Sequence, residues 1–122
     1  KFLFPRIISY LKKNNLKKLK EIYKSNIRGD FSHADDICNG LLQIIKLRNL
    51  PDKIILSSFE YTYINDLLKF GTSKFKIDKN FLISTKKKTN LILGNNSFAK
   101  KILNWKIKKN SLIAFKEILK NS

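Results

Sequence analysis

Three side chains able to bind metal stand within four positions: His33, Asp35 and Asp36. Imidazole, carboxylate and thiol are donor types for zinc, but a closed site needs three or four of them at ligand spacing. No second His or Cys completes such a set. The two acids open a helical pattern, where the helix dipole favours negative charge, so a capping or solvent-facing cluster is expected. Cys38 falls on an apolar helical position and is expected as a buried thiol. As the one cysteine of the chain it excludes an internal disulfide. Glu60 and Asp66, six residues apart, do not share a helix face, which argues against paired-carboxylate catalysis. Gly29, Gly40, Gly71 and Gly94 are isolated from one another, so no loop cradles phosphates with consecutive glycines. The expectation is a protein that is no enzyme, with no cofactor, no metal and no small-molecule substrate.

What remains is cationic. The 122 residues carry 26 Lys and Arg against 9 Asp and Glu, a formal charge of +17. At that density self-repulsion opposes folding unless an anion offsets it. The lysines cluster as Lys12 and Lys13; Lys17, Lys18 and Lys20; Lys86, Lys87 and Lys88; Lys100 and Lys101; and Lys106, Lys108 and Lys109. Each phosphate so neutralised releases counterions, giving salt-sensitive binding without base reading. Only Arg6, Arg28 and Arg48 are arginine. Lysine is a mobile point charge on phosphate, whereas arginine supplies bidentate recognition, so backbone and shape recognition of folded RNA is expected over a defined DNA sequence. The competing account is AT-rich codon usage, which also favours Lys, Asn, Ile and Phe. That bias does not explain the shortage of acids, whose codons tolerate AT-richness equally. Tyr10, Tyr23, Tyr61 and Trp105 are candidates for stacking on bases, with core packing the stronger expectation for Trp105.

The elements that would position these groups read as helices. Pro5 suits the first turn of a helix whose apolar side carries Ile7, Ile8 and Leu11, with a stop at Asn14–Asn15. Leu19, Ile22, Tyr23 and Ile27 make the next stripe, ending at Gly29–Asp30. Ala34, Ile37, Cys38, Leu41, Leu42 and Ile45 repeat at three and four residues after a candidate cap at Ser32. Leu56, Phe59, Tyr63, Leu67 and Phe70 form a further stripe up to Gly71, although Tyr61 to Tyr63 also suits a strand. Phe75, Ile77, Phe81 and Ile83 alternate with polar residues and Leu91 to Leu93 follow, which reads as a β-hairpin tipped by Lys86 to Lys88, or else as an extended loop. Phe98, Ile102 and Trp105, then Leu112, Phe115, Ile118 and Leu119, predict two short helices capped by Ser97 and Ser111. No apolar run is long enough to span a membrane. The fold class expected is mainly α: a single compact domain, residues 1–122, of five to six short amphipathic helices with a hairpin or loop near 74–93. Six of the nine acids (Asp30, Asp35, Asp36, Asp52, Glu60 and Asp66) lie between the basic ends, which places phosphate contact on the terminal helices and the hairpin.

From Arg28 onward the chain resembles the C-terminal collar domain of the bacterial clamp-loader delta subunit. Arg28-Gly29-Asp30, Leu93-Gly94, Phe98, Lys101, Ser111-Leu112 and Phe115 through Leu119 fall into that family's pattern, with Ser97 where the family has proline. Leu50-Pro51 and the segment from Ala99 to Lys106 are also similar to the N-terminal domain of TFIIS-type transcription elongation factors. There the family's isoleucine–glycine turn is replaced by Glu60-Tyr61. Either resemblance implies a helical module whose main partner is protein. The charge implies instead a non-catalytic RNA-binding structural protein: a small intracellular component of a ribosome, of mitochondrial or other organellar type among the options, contacting rRNA backbone and neighbouring proteins. The alternative is a helical assembly module of a replication clamp loader or of a transcription elongation complex.

Overall fold

The structure, a computed structural model, describes residues 2–83 and 92–122. Among them are six α-helices: α1 (Leu3–Lys12), α2 (Leu16–Ser25), α3 (Ala34–Ile45), α4 (Ile64–Lys74), α5 (Ser97–Leu103) and α6 (Ser111–Lys120). Two-residue strands, β1 (Arg28–Gly29) and β2 (Thr62–Tyr63), pair as a small antiparallel sheet. The fold is mainly α. No helix among the described residues is long and apolar enough to cross a membrane.

Asparagine punctuates these helices. Asn14, Asn26 and Asn104 adopt φ of 47°, 46° and 50°. Their short polar side chain makes them the residues, after glycine, that tolerate the left-handed region at a helix end. Hence α2 stops at Asn26, before the Gly29–Asp30 step where the sequence suggests an end. The caps also sit one residue from those expected. His33, not Ser32, caps α3; Asn96 and Asn110, not Ser97 and Ser111, precede α5 and α6.

The chain forms two compact units. The first comprises Lys1–Arg28, Thr62–Asn90 and Phe115–Ser122. There α1, α2 and α4 pack on one another, burying Ile7, Ile8, Leu11, Leu19, Ile22, Leu67 and Leu68. Phe115 is buried with them and meets Phe4 and Phe70 edge-to-face, at centroid distances of 5.8 and 6.4 Å. α4 runs on through Gly71 to Lys74, and Leu56 and Phe59 are not part of it. The alternating segment after it forms no strand among its described residues. Instead Ile77 is buried, Phe81 stands edge-on to the Tyr23 ring at 5.8 Å, and the Tyr23 hydroxyl donates to the Ile83 carbonyl. A period of two turns alternate residues inward, but it does not supply the neighbouring strand that a ladder needs. The Lys86–Lys88 tip lies outside the described residues.

The second unit comprises Gly29–Tyr61 and Leu91–Ala114, with α3 against α5. Its core is Ala99, Leu103 and Trp105, joined by half-buried residues that include Ile37, Ile44 and Leu56. Here the sequence stripe is overturned. The side of α3 turned inward holds Asp36 and Gly40, while Cys38, Leu41, Leu42 and Ile45 are exposed. Cys38 is therefore not the buried thiol expected. The cause is Trp105, whose indole N–H donates to the Asp36 carbonyl at 2.8 Å. A Cβ on residue 40 would stand 2.8 Å from Leu56 Cδ1 and 3.2 Å from Trp105 Nε1, so only glycine lets that ring and Leu56 close on the helix.

Candidate nucleic-acid interface

Two carboxylates of the second unit are committed to backbone rather than to lysine. Asp36 is 2 % exposed, and its side chain accepts from the backbone N–H of Lys108, at 3.1 and 3.2 Å to the two oxygens, and of Lys109 at 2.9 Å. A buried carboxylate is tolerated only with such donors around it. It therefore holds the loop between α5 and α6, which α5 enters through the left-handed Asn104. Asp30 does the same on the other strand of chain. It accepts from Ser58 N–H at 3.0 Å, from Phe59 N–H at 3.2 Å and from the Ser58 hydroxyl. Phe59 has a φ of 57°, a conformation that costs a bulky residue roughly 1–2 kcal/mol, and the Asp30 clamp over-determines it. Nearby, Asn96 donates to the Ser57 carbonyl at 2.9 Å and the Ser57 hydroxyl to the Gly94 carbonyl, tying this turn to the start of α5.

Beside these two clamped turns lies an open cleft of about 500 Å³, lined by Ser58 and Glu60 of the first and by Lys106, Ile107, Lys108 and Asn110 of the second, together with Lys100 and Ile113. Among the described residues none of the three lysine ammonium groups has an ion-pair partner. Glu60 is the one acid on the lining. The local excess of positive charge is thus built by spending the neighbouring acids on N–H groups. Lys109 points elsewhere: its Nζ meets Asp35 at 2.8 Å, and that hydrogen bond, with the lysine charge behind it, holds the Asp35 carboxyl below the usual carboxylate range.

No protein-family model matches the chain, and no curated protein or solved structure matches it significantly. The site stands on its geometry alone.

Of the lysines singled out in the sequence, Lys100, Lys106 and Lys108 come together; Lys101 is exposed on α5 away from the lining. In the first unit Lys12 and Lys13 border a smaller groove with Pro5, Ile8 and Ile118, and the Lys12 ammonium donates to the Ser122 carbonyl. Lys17 and Lys20 are exposed along α2, whereas Lys18 pairs with Glu21 at 2.8 Å. Lys86, Lys87 and Lys88 lie outside the described residues. Two proposed stacking residues are withdrawn by burial. Trp105 is 1 % exposed, and Tyr23 is buried. His33 uses Nδ1 to accept the Asp35 N–H at 3.0 Å, and Asp36 faces inward, so this cluster is a helix cap and a loop anchor. Sequence reasoning missed Asp30 and Asp36 as clamps. The signal available was the adjacent pair Asp35-Asp36, whose members on a helix point about 100° apart and so serve two different neighbours.

Proposed function

We propose that the protein is a non-catalytic, RNA-bound structural protein, a component of a large ribonucleoprotein particle such as a ribosome. The observation that carries this reading is the cleft in which Lys100, Lys106 and Lys108 outnumber the one acid, Glu60, and make no ion pair among the described residues, in a chain of net charge +17. Three exposed ammonium groups around an open hollow suit a run of phosphates, and the apolar lining at Ile107 and Ile113 suits a ribose or base edge. The exposed lysines of α2 extend the cationic surface of the first unit. Nothing in the arrangement calls for base-specific contacts, since arginine forks are absent from the lining.

The test is binding to a folded rRNA fragment as a function of salt. Replacing Lys100, Lys106 and Lys108 by Ala should lower the slope of log K against log salt by about 2, at roughly 0.7–0.9 per phosphate contact. The triple replacement of exposed Lys46, Lys53 and Lys69 removes equal charge elsewhere and should leave most of the slope intact. Equal losses from the two triples would refute the cleft as the contact. Tighter binding to a DNA duplex of equal length would refute RNA as the ligand. In native extract, the protein should co-sediment with ribosomes through moderate salt.

A further inference from the structure

We infer that α3 pairs antiparallel with α3 of a second copy of this chain. The observation is the side of α3 turned away from its own core. Leu41, Leu42 and Ile45 are 51, 57 and 76 % exposed, and Ala34 and Cys38 are exposed with them. Ala34, Cys38, Leu41 and Ile45 follow one another at four, three and four residues, the d-a-d-a spacing of a two-helix seam. The stripe is continuous over three turns, which distinguishes it from apolar residues scattered singly over a surface.

Three properties make this seam complementary to itself. Its volumes run from small at the N-terminal end, Ala34 and Cys38, to large at the C-terminal end, Leu41 and Ile45. An antiparallel copy sets Ala34 against Ile45 and Cys38 against Leu41, so each of four layers holds one small and one large side chain. Its charges run the same way. Asp35 stands at one end and Lys46 and Arg48 follow the other, so reversal lets the Asp35 carboxylate, which already holds Lys109 at 2.8 Å, be shared with Lys46 or Arg48 of the second copy. Finally, α3 is the one helix among those described that contains neither Lys nor Arg. In a chain of net charge +17 it is the face on which a second copy approaches with least repulsion. Three turns of one helix bury less than the about 1,200 Å² of a standard interface, so the pair is weak and reversible.

The experiment uses the full chain in a Cys38→Ala background. One version carries Ala34→Cys and the other Ile45→Cys; these positions meet across the pair but stand about 16 Å from their own equivalents in the second copy. Mixed under mild oxidation, the two should give the 34–45 heterodisulfide, by mass spectrometry, at least tenfold over either homodisulfide. Sedimentation equilibrium of the unmodified chain should show reversible dimer, abolished by Leu41→Glu with unchanged far-UV circular dichroism. Homodisulfides in equal yield would overturn the antiparallel register. A chain that stays monomeric to millimolar concentration would overturn self-pairing and assign the seam to a helix of a different protein. Neither result touches the RNA reading, which rests on the cleft lined by Lys100, Lys106 and Lys108.

Discussion

Asp36→Asn isolates what the buried carboxylate does. The wild-type side chain receives two backbone N–H groups, those of Lys108 and Lys109, at 2.9–3.2 Å. Hydrogen bonds to an ionised acceptor contribute about 1.5–3 kcal/mol each, and a buried donor left without a partner costs about 1–3 kcal/mol. Asparagine keeps one acceptor oxygen and turns an NH₂ toward the second N–H. One charge-assisted bond is lost and one donor is orphaned, a total of about 3 kcal/mol for the second unit. With an m-value near 2 kcal/mol/M, the urea midpoint followed by Trp105 fluorescence should fall by about 1.5 M. The same replacement frees the loop that carries Lys106 and Lys108, so the salt slope of RNA binding should drop by about 1.5, two contacts' worth. The Lys106→Ala, Lys108→Ala pair should reproduce the loss of slope with the urea midpoint unmoved. A midpoint for Asp36→Asn within about 0.3 M of the parent would refute the clamp. A lowered midpoint with an unchanged slope would refute the claim that the clamp positions the binding lysines.

Gly40→Ala sets two effects against each other. Alanine gains about 1 kcal/mol of helix propensity, but its Cβ would stand 2.8 Å from Leu56, and overpacking of this kind costs about 1–3 kcal/mol. The variant should be about 1 kcal/mol less stable in urea, and Leu56→Ala should convert Gly40→Ala from destabilising to stabilising in a double-mutant cycle. Asp35 should titrate below its ordinary value of 3.8 because of the hydrogen bond and charge of Lys109. Its folded pKa is depressed, so the Asp35–Lys109 pair supports the fold above that ordinary value and ceases to do so as pH falls through the folded one. Carbon-detected NMR should place the Asp35 midpoint low in the parent and return it toward 3.8 in Lys109→Ala.

The helices were legible because their apolar repeats and their asparagine punctuation are local properties of the chain. The number of helices and the mainly α class follow from residues such as Ile7, Ile8 and Leu11, whose spacing matches the face they bury. α3 shows the limit of that reasoning. Its stripe was visible, yet the side that packs inward was chosen by Trp105, 69 residues away from Asp36 in the chain, and by the missing Cβ of Gly40. Periodicity says that a helix has an apolar side; it does not say whether that side meets its own core or another molecule. The cleft was half legible. Lys100, Lys106 and Lys108 stood in basic clusters, but so did Lys101 and Lys109, which the lining leaves out. What separates them is helix phase and the Asp35 partner, both three-dimensional facts.

The placement of the acids bears on why the chain is so basic. Codon drift toward lysine would leave the remaining carboxylates distributed without regard to the cations, mostly as exposed partners of nearby lysines. Glu21 with Lys18 and Asp35 with Lys109 are of that kind. Asp30 and Asp36 are not. Each gathers backbone N–H groups from a segment distant in sequence, Ser58–Phe59 or Lys108–Lys109, and each braces one wall of the same hollow. Had these two carboxylates faced the hollow, it would have held three acids, with Glu60, against Lys100, Lys106 and Lys108. Turned instead onto the backbone, they stabilise the walls and leave the lysine charge exposed, which is what the proposed contact with RNA phosphate requires.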